Sequence, residues 1–507
     1  KAIVWRVESS EEIAKRFRIK HKVGWHRGLK NRPCKFINCA FKLVKFGEAI
    51  FYFSKNLIFM QRTYIKDLKD HIGEEISISG WVDVRRDQGK MVFFDMRDMT
   101  GRVQCVVLPS HVEAIEKAKE VRPEWVLKMT GIVNKRPEKN IKAGVANGDL
   151  ELEVLGIVVL AKAAPLPFDM SMDGYNLDLT TELDNRSLVL RQPKVQAIFK
   201  VQETIIDSFR EFMKQNNFFE FQAPSIAPAT AEGGAEVFQV DYFDKKAYLT
   251  QSPQLYKQIV MSAFERCFSV NKVFRAEPSS TTRHLTEIVS LDAEMSFIES
   301  WKDVRDMAEE TVRFILKQVA SKNAEHLKVL NATLPVMLEK TPTLSLTEVQ
   351  QKIFEKNGRD VRGEKDTNPQ DEREICEIIK EETGSDFVFI YGYPTRKKPF
   401  YVYPNPENPE FNEGMDLICR GVEWLSGGRR INDYDQLMKH VEIWKMDPQK
   451  IKMFLDAFKY GVPPEGGFAF GAERITMQLL GLKNIREACM FPRDMNRIDE
   501  RLNNEGY

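Results

Sequence analysis

The sequence predicts an α+β protein with two folded domains, a small β-barrel followed by a larger domain that mixes strands and helices. Between 60 and 165, several short strand-like runs surround one helix-like stretch, a pattern typical of small barrels. From 191 to 507, segments of helical period alternate with short apolar or Gly-rich strands. A chain of 507 residues is long enough for two or three domains, each with its own core.

Alternation of apolar and polar residues defines the strands of the barrel, because successive side chains of a strand point to opposite faces. A turn at 99–101 divides the second run. The expected strands and the expected helix are Ile76–Val84, Met91–Val107, Trp125–Val133 and Leu150–Leu160, with the helix near His111–Lys119.

In the larger domain, apolar periodicity predicts a helix over Val195–Gln215, followed by a short strand that leads to Pro224. A second helix is expected from Pro253, because proline suits the first helical turn. Gln254 and Lys257 then lie on one face of that helix. A lysine at such a position is usually solvent-exposed, which is the alternative to a binding role.

Composition is that of an ordinary soluble globular protein, with 43% hydrophobic and 29% charged residues. The net charge of +1 is unevenly distributed. Residues 1–59 carry 14 Lys and Arg against 4 Asp and Glu, so their charge is +10 and that of the remaining chain is 1 − 10 = −9. Any nucleic acid that binds the main body must therefore meet local basic patches.

The seven cysteines are scattered and form no CxxC pair, which argues against a zinc ribbon or a disulfide framework. Such cysteine usage favours a reducing compartment, and we expect a cytoplasmic protein. No apolar run reaches the roughly 18 residues that a membrane span needs.

Residues 1–59 form a basic N-terminal extension without a clear helical or strand period. The interpretation we favour is a mis-called start, because Met60 directly precedes a regular domain beginning. A basic arm that holds RNA is the second interpretation. An organelle presequence is the third, and the acidic residues of the segment weigh against it.

The sequence also predicts what kind of structure three further segments form. Residues 166–190 are expected to be a hinge, because prolines and polar residues concentrate there. The Gly-containing stretch Ala231–Val237 is expected to be a mobile lid that carries Glu232. Residues 340–385 are highly charged, and we interpret them as surface helices without chemistry.

The early barrel strands combine basic side chains with an aromatic pair. Phe93 and Phe94 are adjacent, so an alternating strand must turn one of them outward. An exposed ring stacks on a base while nearby cations follow the phosphates, which is how small barrels hold single-stranded RNA. The alternative is that both rings belong to the core. The cations of this patch are Arg85, Arg86, Lys90 and Arg97.

The stretch Phe274–Glu294 carries the most chemistry in the larger domain. Arg275 and Glu277 are two apart, so on a strand they would project from one face. A guanidinium suits phosphate or carboxylate oxygens, and a neighbouring carboxylate can accept from an amino group. The alternative is a surface ion pair on an edge strand.

Two downstream patterns suit a nucleotide. Asp416 and Glu423 lie on a predicted strand pair, where two carboxylates facing one cleft could hold Mg²⁺ with phosphate oxygens. Arg474 opens a helix after a Gly-rich strand, and a helix N-terminus favours an anion. The alternative for the second pattern is a strand–helix corner with a buried pair of Glu473 and Arg474.

Taken in order, these segments resemble the class II aminoacyl-tRNA synthetases, and most closely the compact archaeal type of aspartyl-tRNA synthetase. The helix and strand that end at Pro224 are similar to motif one, FRAE…RHLTE to motif two and GAER to motif three. The resemblance covers about 60–507. It implies an OB-fold barrel for anticodon binding at 60–165 and a class II catalytic domain at 191–507, an antiparallel sheet flanked by helices. It also implies a homodimer formed through motif one.

The resemblance implies a role for each matching residue, with ATP and L-aspartate as substrates and Mg²⁺ as the metal. Arg275 and Arg474 would be the catalytic residues. The implied ATP-binding residues are Arg275, Glu277, Arg283, His284, Glu423 and Arg474. The implied aspartate-binding residues are Glu232, Ser252, Gln254, Lys257, Arg275 and Arg430, with Lys257 and Arg430 facing the β-carboxylate. The implied metal ligands are Asp416 and Glu423.

In the barrel, the resemblance places Arg85, Phe93, Gln104 and Glu151 at the anticodon of tRNA-Asp. Four residues depart from the family pattern. They are Asp83, at a position concerned with the third anticodon base, Ala235 in the lid, Ile288 beside the adenine and Glu465, where histidine is usual. Asp83 leaves open whether tRNA-Asn is a substrate as well. The competing identities are an asparaginyl-tRNA synthetase, an asparagine synthetase-like paralogue and a non-catalytic RNA-binding relative.

Overall fold

The computed structural model describes residues 62–170, 177–228, 236–278 and 281–502. Residues 1–61, which include the predicted N-terminal extension, lie outside this part, and so do Glu232 and Ala235. The chain divides into two compact units, Lys1–Gly174 and Tyr175–Tyr507. The boundary falls inside the predicted hinge.

The first unit is a closed barrel of five strands in the order β1-β2-β3-β5-β4, as the predicted OB-fold requires. Its interior is filled by the apolar members of each alternating strand, such as Ile78, Phe94 and Leu152, none of which is exposed to solvent. One helix, α1, lies between β3 and β4 in the chain. The elements are β1 (Glu75–Gln88), β2 (Met91–Arg97), β3 (Arg102–Val107), α1 (Val112–Glu120), β4 (Val126–Lys135) and β5 (Leu150–Ala161).

The second unit is built on an eight-stranded sheet in the order β12-β13-β14-β15-β16-β11-β10-β6. From β13 through to β10 in this order, each strand pairs antiparallel with the next. The two outermost pairs, β12 with β13 and β10 with β6, are parallel. The strands are β6 (Phe219–Glu220), β10 (Arg266–Phe274), β11 (Glu287–Ser296), β12 (Thr343–Ser345), β13 (Phe387–Tyr391), β14 (Gly414–Cys419), β15 (Val422–Arg429) and β16 (Glu465–Gly471). The predicted α+β class and the antiparallel catalytic sheet are confirmed.

A small second sheet, β7-β9-β8, follows the long helix of this unit in sequence. Its strands are β7 (Ile226–Ala227), β8 (Gln239–Tyr242) and β9 (Lys245–Leu249). The helices of the unit are α2 (Leu179–Asp184), α3 (Arg186–Val189), α4 (Pro193–Gln215), α5 (Gln254–Phe264), α6 (Trp301–Lys322), α7 (Ala324–Leu330), α8 (Leu346–Asn357), α9 (Pro369–Thr383), α10 (Tyr434–Ile443), α11 (Lys452–Lys459) and α12 (Ala472–Leu480).

Helix α4 begins two residues before its predicted start at Val195, ends at Gln215 as predicted and packs its apolar face on the sheet. Phe209 makes edge-on ring contacts with Phe268 of β10 and Phe470 of β16, at centroid distances of 5.7 and 5.4 Å. Such contacts add to the hydrophobic stabilisation of the buried rings. The helix therefore holds the two strands that border the site described below.

The second half of the predicted hinge is ordered into α2 and α3. Arg186 is buried and donates to the carbonyls of Cys489 and Met490, at 2.7 and 2.9 Å. A buried guanidinium needs such acceptors, which anchor this segment to the end of the second unit. None of the helices in the described ranges is long and apolar enough to cross a membrane.

Candidate active site and nucleic-acid interface

A cavity of about 240 Å³ lies among β10, β11, β15 and β16 and the first turns of α5 and α12. It gathers residues that are more than 200 positions apart in the sequence. The residues of its lining for which the resemblance implies a role in binding ATP or aspartate are Ser252, Gln254, Lys257, Arg275, Glu277, Arg283, His284, Glu423, Arg430 and Arg474. The site residues that the sequence singles out in the larger domain therefore converge on this cavity, apart from Asp416, which does not line it, and Glu232, whose position is not described.

Arg275 and Glu277 both line this cavity, but the predicted strand that would carry them is wrong. Strand β10 ends at Phe274, and the two residues lie in the loop that follows it. The loop is held by backbone bonds, including Arg275 N–H to the Thr286 carbonyl at 2.9 Å. Arg275 is exposed, and in the described part of the chain no hydrogen bond or ion pair occupies its guanidinium, so the guanidinium can take a ligand anion.

Two further basic residues, Arg283 and His284, line the cavity together with Arg275. Arg283 contacts Glu372 Oε2 at 3.5 Å and donates to the Gly421 carbonyl at 3.3 Å. The Nδ1 atom of His284 is 2.5 Å from the Thr281 hydroxyl. Burial lowers the pKa of both Arg283 and His284 from their ordinary values, with Glu372 and Glu277 respectively opposing the shift. At neutral pH the imidazole is therefore largely uncharged until an anion approaches.

Arg474 lies in the first turn of α12 and reaches across to β15. Its Nη1 donates to the Glu423 carbonyl at 3.2 Å and to Glu423 Oε1 at 3.4 Å. The alternative of a buried pair between Glu473 and Arg474 is wrong. The Glu473 carboxyl instead accepts from Val289 N–H of β11 at 3.0 and 3.2 Å, and burial raises its pKa to about 7.

The floor of the cavity is a buried ionic cluster. Lys257 is 1% exposed, and its Nζ lies 3.1 Å from Asp292 Oδ1 and 3.1 Å from Glu294 Oε2. Arg430 donates through Nε to Glu294 Oε1 at 2.8 Å and through Nη2 to the Gly467 carbonyl at 3.0 Å. Lys257 is thus a buried member of the site, and the alternative of a solvent-exposed lysine is wrong.

Charge compensation keeps this cluster ionised. Burial lowers the pKa of Lys257, but the carboxylates of Glu294 and Asp292 raise it above its ordinary value. Burial raises the pKa of Glu294, but Arg430 and Lys257 bring it below the ordinary value. A glycine makes room for the carboxylate, because a Cβ atom at Gly467 would lie 2.2 Å from Glu294 Oε2. Lys257 and Arg430 therefore face the cavity as positive donors that are already paired.

Asp292 and Glu294 belong to this buried cluster, and the sequence patterns above assign them no role. They lie two apart on β11 and are both inaccessible to solvent. Their signal was present in the sequence, since two carboxyls at strand spacing within an apolar run need cationic partners. What the sequence did not contain was the identity of those partners.

Asp416 and Glu423 lie on neighbouring strands β14 and β15, on the same face of the sheet by their register. The cation that contacts Asp416 is Lys398, whose Nζ lies 2.7 and 2.8 Å from the two carboxylate oxygens and 3.4 Å from the Ser426 hydroxyl. Among the described residues no group of three or more His, Cys, Asp or Glu is arranged to hold a metal ion. The side-chain oxygens of Asp416, Glu423 and Ser426 nevertheless suit a hard divalent cation that keeps several of its water ligands.

Helix α9, within the segment interpreted as surface helices, contributes to this site. Glu372 projects from α9 to Arg283, and burial together with the Glu423 carboxylate raises its pKa to about 7. The interpretation of 340–385 as surface helices is therefore wrong for Glu372, whose side chain is largely buried against Arg283, while the absence of chemistry in this segment stays a prediction. Asn368 caps the N-terminus of helix α9 and forms a capping box with Asp371. The residues of this cap are visible in the sequence, but the packing of the helix is not.

In the barrel, Phe94 is fully buried and Phe93 is half-buried on the outer face of β2, which confirms the predicted alternation. Gln104 and Glu151 are direct neighbours on β3 and β5, with the Gln104 amide donating to Glu151 Oε2 at 3.3 Å. Residue 95 of β2 pairs with Gln104 in the register. The outward residues of these three strands thus form one continuous surface.

Only part of the predicted basic patch of the barrel is available to contact nucleic-acid phosphates. Arg97 is 8% exposed and pairs with Asp83 at 2.9 Å and Glu124 at 2.6 Å, so its inclusion in the patch is wrong. Arg85 and Arg86 also have acidic partners, namely Asp87 and Asp95, at 2.8 and 2.7 Å, but both side chains remain partly exposed. Residue Asp83 serves as the partner of Arg97 and Arg102 and is itself largely buried.

Comparison with known proteins assigns a family to each of the two units. The family described as "tRNA synthetases class II (D, K and N)" matches residues 178–495, and the family described as "OB-fold nucleic acid binding domain" matches residues 76–160. Aspartate–tRNA(Asp/Asn) ligase of Deinococcus radiodurans is 39% identical over 87% of this chain and 99% of its own length. Aspartate–tRNA(Asp) ligase of Pyrococcus abyssi is 36% identical over 87% of this chain and 100% of its own length.

A solved structure extends the likeness to three dimensions. The crystal structure of asparaginyl-tRNA synthetase from Pyrococcus horikoshii complexed with asparaginyl-adenylate has a TM-score of 0.79 at 31% identity, over 87% of this chain and 100% of that one. The predicted resemblance is confirmed. The chain belongs to the class II aminoacyl-tRNA synthetases of the aspartate, lysine and asparagine group, with an OB-fold domain ahead of the catalytic domain.

Proposed function

We propose that the protein attaches L-aspartate to tRNA-Asp in an ATP-dependent reaction that passes through an aspartyl-adenylate. The observation that carries this proposal is a single cavity that combines an exposed arginine, Arg275, with two buried donor cations, Lys257 and Arg430. The curated relatives whose names are given above are aspartate ligases, which supports the choice of amino acid.

In the first step, the α-carboxylate of aspartate attacks the α-phosphorus of ATP and pyrophosphate leaves. Arg275 would bind both the attacking carboxylate and the α-phosphate, which brings two anions together and stabilises the charge of the transition state. Arg283, His284 and Arg474 would hold the distal phosphates, and Glu277 would accept from the adenine amino group. In the second step, the ribose hydroxyl of the terminal adenosine of the tRNA attacks the carbonyl carbon of the adenylate, an ester bond forms and AMP leaves.

Selection of aspartate over asparagine follows from the donors of the ionic cluster. Lys257 and Arg430 are donors only, and the hydrogen bonds described above leave other N–H groups of both side chains available. A β-carboxylate can accept from both. The amide NH₂ of asparagine would instead place hydrogens against hydrogens, and a site with unmatched buried polar groups discriminates strongly.

The metal Mg²⁺ is part of this proposal, with Asp416 and Glu423 as its carboxylate ligands. Bound there with ATP, the ion would neutralise phosphate charge. In the structure, the Lys398 ammonium donates to the Asp416 carboxylate, and the Arg474 guanidinium donates to the Glu423 carboxylate. Both carboxylates therefore already have cationic partners, with which a metal ion would compete.

The barrel is proposed to hold the anticodon, with Phe93 stacking on a base and Gln104, Glu151 and Arg85 contributing polar contacts. We leave tRNA-Asn as a second substrate to experiment, since the relatives include enzymes named for one tRNA and for both. Charging of purified tRNA-Asp against tRNA-Asn by the same preparation decides between them.

We also propose a homodimer formed through the segment that ends at Pro224. Large apolar side chains are exposed next to it, which is unusual for a monomer surface. Phe219 and Phe264 stack at 4.3 Å while each remains about half exposed, and Phe243 is 90% exposed. Sedimentation of the purified chain tests this, and a monomer at micromolar concentration would contradict it.

A cytoplasmic location is the remaining part of the proposal. The five cysteines in the described ranges are all free thiols and all buried. This cysteine state suits a reducing compartment.

Amino-acid-dependent exchange of pyrophosphate into ATP is the experiment that tests the proposed reaction. We expect exchange with aspartate and little with asparagine or without an amino acid. Arg275→Ala should lose exchange, while Arg305→Ala should keep it, because Arg305 pairs with Asp306 on the surface of α6. Exchange driven by asparagine would instead favour an asparaginyl-tRNA synthetase.

A further inference from the structure

Glu465 is the departure from the family pattern that the site geometry explains. It begins β16, is inaccessible to solvent and does not line the cavity. Its Oε1 accepts from Gln258 Nε2 at 2.9 Å, and Gln258 Oε1 accepts from Gln254 Nε2 at 2.9 Å. Gln254 is the last member of this chain and the only one of the three that lines the cavity.

The chain has a direction because its first member is an acceptor. Glu465 Oε1 can only receive a hydrogen bond, which fixes the Gln258 amide with its nitrogen toward Glu465 and its oxygen toward Gln254. The Gln254 amide must then turn its nitrogen to Gln258. Its own Oε1 takes part in no hydrogen bond within the described part of the chain, so it remains as an acceptor beside the cavity.

A protonated Glu465 keeps this direction when the proton lies on Oε2 and not on Oε1. Glu465 and Glu294 are diagonal neighbours on β16 and β11, on the same face of the sheet. Burial and the Glu294 carboxylate raise the pKa of Glu465 well above its ordinary value. Its Oε2 has no hydrogen-bond partner among the described residues, so that oxygen can carry the proton while Oε1 continues to accept.

We propose that Glu465 is a positioning residue that sets the direction of the Glu465–Gln258–Gln254 chain, so that Gln254 presents a carbonyl oxygen to the ammonium group of the amino-acid substrate. The inference rests on the proposed function, because it takes aspartate as the ligand of this cavity. A neutral residue without an acceptor at 465 would let both amides turn over, and Gln254 would then present an NH₂ group that repels the ammonium.

The experiment compares Glu465→Met, which removes the acceptor, with Glu465→Gln, which keeps one. The Met variant should raise the KM for aspartate in pyrophosphate exchange on the order of tenfold, the effect of losing one net hydrogen bond. The KM for ATP should stay unchanged. Glu465→Gln should raise the KM less than Glu465→Met does, because its Oε1 can still accept from Gln258 although its NH₂ group can also donate in the reversed chain.

A competitive inhibitor without the amino group separates orientation from general damage. Succinate keeps both carboxylates of aspartate but offers no ammonium to Gln254. Its inhibition constant against aspartate should be the same in the parent and in Glu465→Met. If the constant rises as much as the aspartate KM does, the variant has damaged the pocket as a whole and the proposal is overturned.

Gln258→Met breaks the same chain from helix α5 and gives an independent test if the Glu465 variant does not fold. It should reproduce the rise in aspartate KM, and the double variant should be no worse than either single one, since all three interrupt one chain. An unchanged aspartate KM in either folded single variant overturns the proposal. Absence of aspartate-dependent exchange in the parent would instead refute the proposed function.

Discussion

Replacing Lys257 by methionine tests the buried ionic cluster directly. Methionine keeps most of the side-chain volume but removes the ammonium that lies 3.1 Å from Asp292 and 3.1 Å from Glu294. Two carboxylates with essentially no solvent access then lose a partner. Removing one member of a buried pair costs about 3–5 kcal/mol, because the remaining charge is left uncompensated. We expect the free energy of unfolding of the second unit to fall by that amount at pH 7.5.

The loss should depend on pH, because a stranded carboxyl can take up a proton. In the variant, the folded-state pKa of Glu294 would rise, because Lys257 is one of the two cations that lower it in the parent. A carboxyl of this kind stabilises the fold at low pH and loses that contribution as pH rises toward its folded pKa. The difference between parent and variant should therefore be smaller at pH 5.5 than at pH 7.5, by up to about 1.4 kcal/mol for each pH unit.

Hydrogen-exchange mass spectrometry of peptides from β10 and β11 measures the opening free energy of this sheet without requiring the two units to unfold together. Lys272→Met is the matched control, since Lys272 pairs with Glu287 at 3.0 Å but is 45% exposed. An exposed pair contributes about 1 kcal/mol or less. If Lys257→Met destabilises β10 and β11 no more than Lys272→Met, the buried ammonium does not compensate the cluster and our reasoning is refuted.

Three other predictions concern separate parts of the protein. Glu473 has a folded pKa of about 7 against an ordinary 4.5, so its contribution to stability should fall by up to about 3 kcal/mol between pH 4.5 and 7. Denaturation at several pH values should show that Glu473→Gln removes this pH dependence of the unfolding free energy. If the variant keeps the same pH dependence, a group other than Glu473 causes it. Phe93→Ala should weaken tRNA binding in a filter assay by about 1–3 kcal/mol and leave pyrophosphate exchange intact, whereas equal loss of both would argue against an anticodon role. Lys398→Met should tighten Mn²⁺ binding on the order of tenfold, because the ammonium that contacts Asp416 is removed. Calorimetry without ATP measures this affinity. Weaker binding in the variant would mean that Lys398 organises the site and does not compete with the metal.

Local patterns were sufficient for much of the fold. The barrel strands, helix α4 and the strand–helix corner at Arg474 follow from periodicity and from Gly and Pro positions, because these patterns depend on neighbours within a few residues. The order of three motifs identified the family, and most of the predicted site residues meet in one cavity. Phe93 was separated from Phe94 by alternation alone.

The tertiary structure decided which charges are compensated and by what. Lys257 pairs with β11, Arg97 with Asp83 and Glu124, and Arg283 with a helix about 90 residues further along the chain. The sequence shows that a buried charge needs a partner, but partner choice depends on strand register and on helix packing over long separations. The same reason explains Glu465. The sequence offered no explanation for a glutamate at this position. Its proposed role in orienting Gln254 follows only from the contact between β16 and α5 in the folded protein.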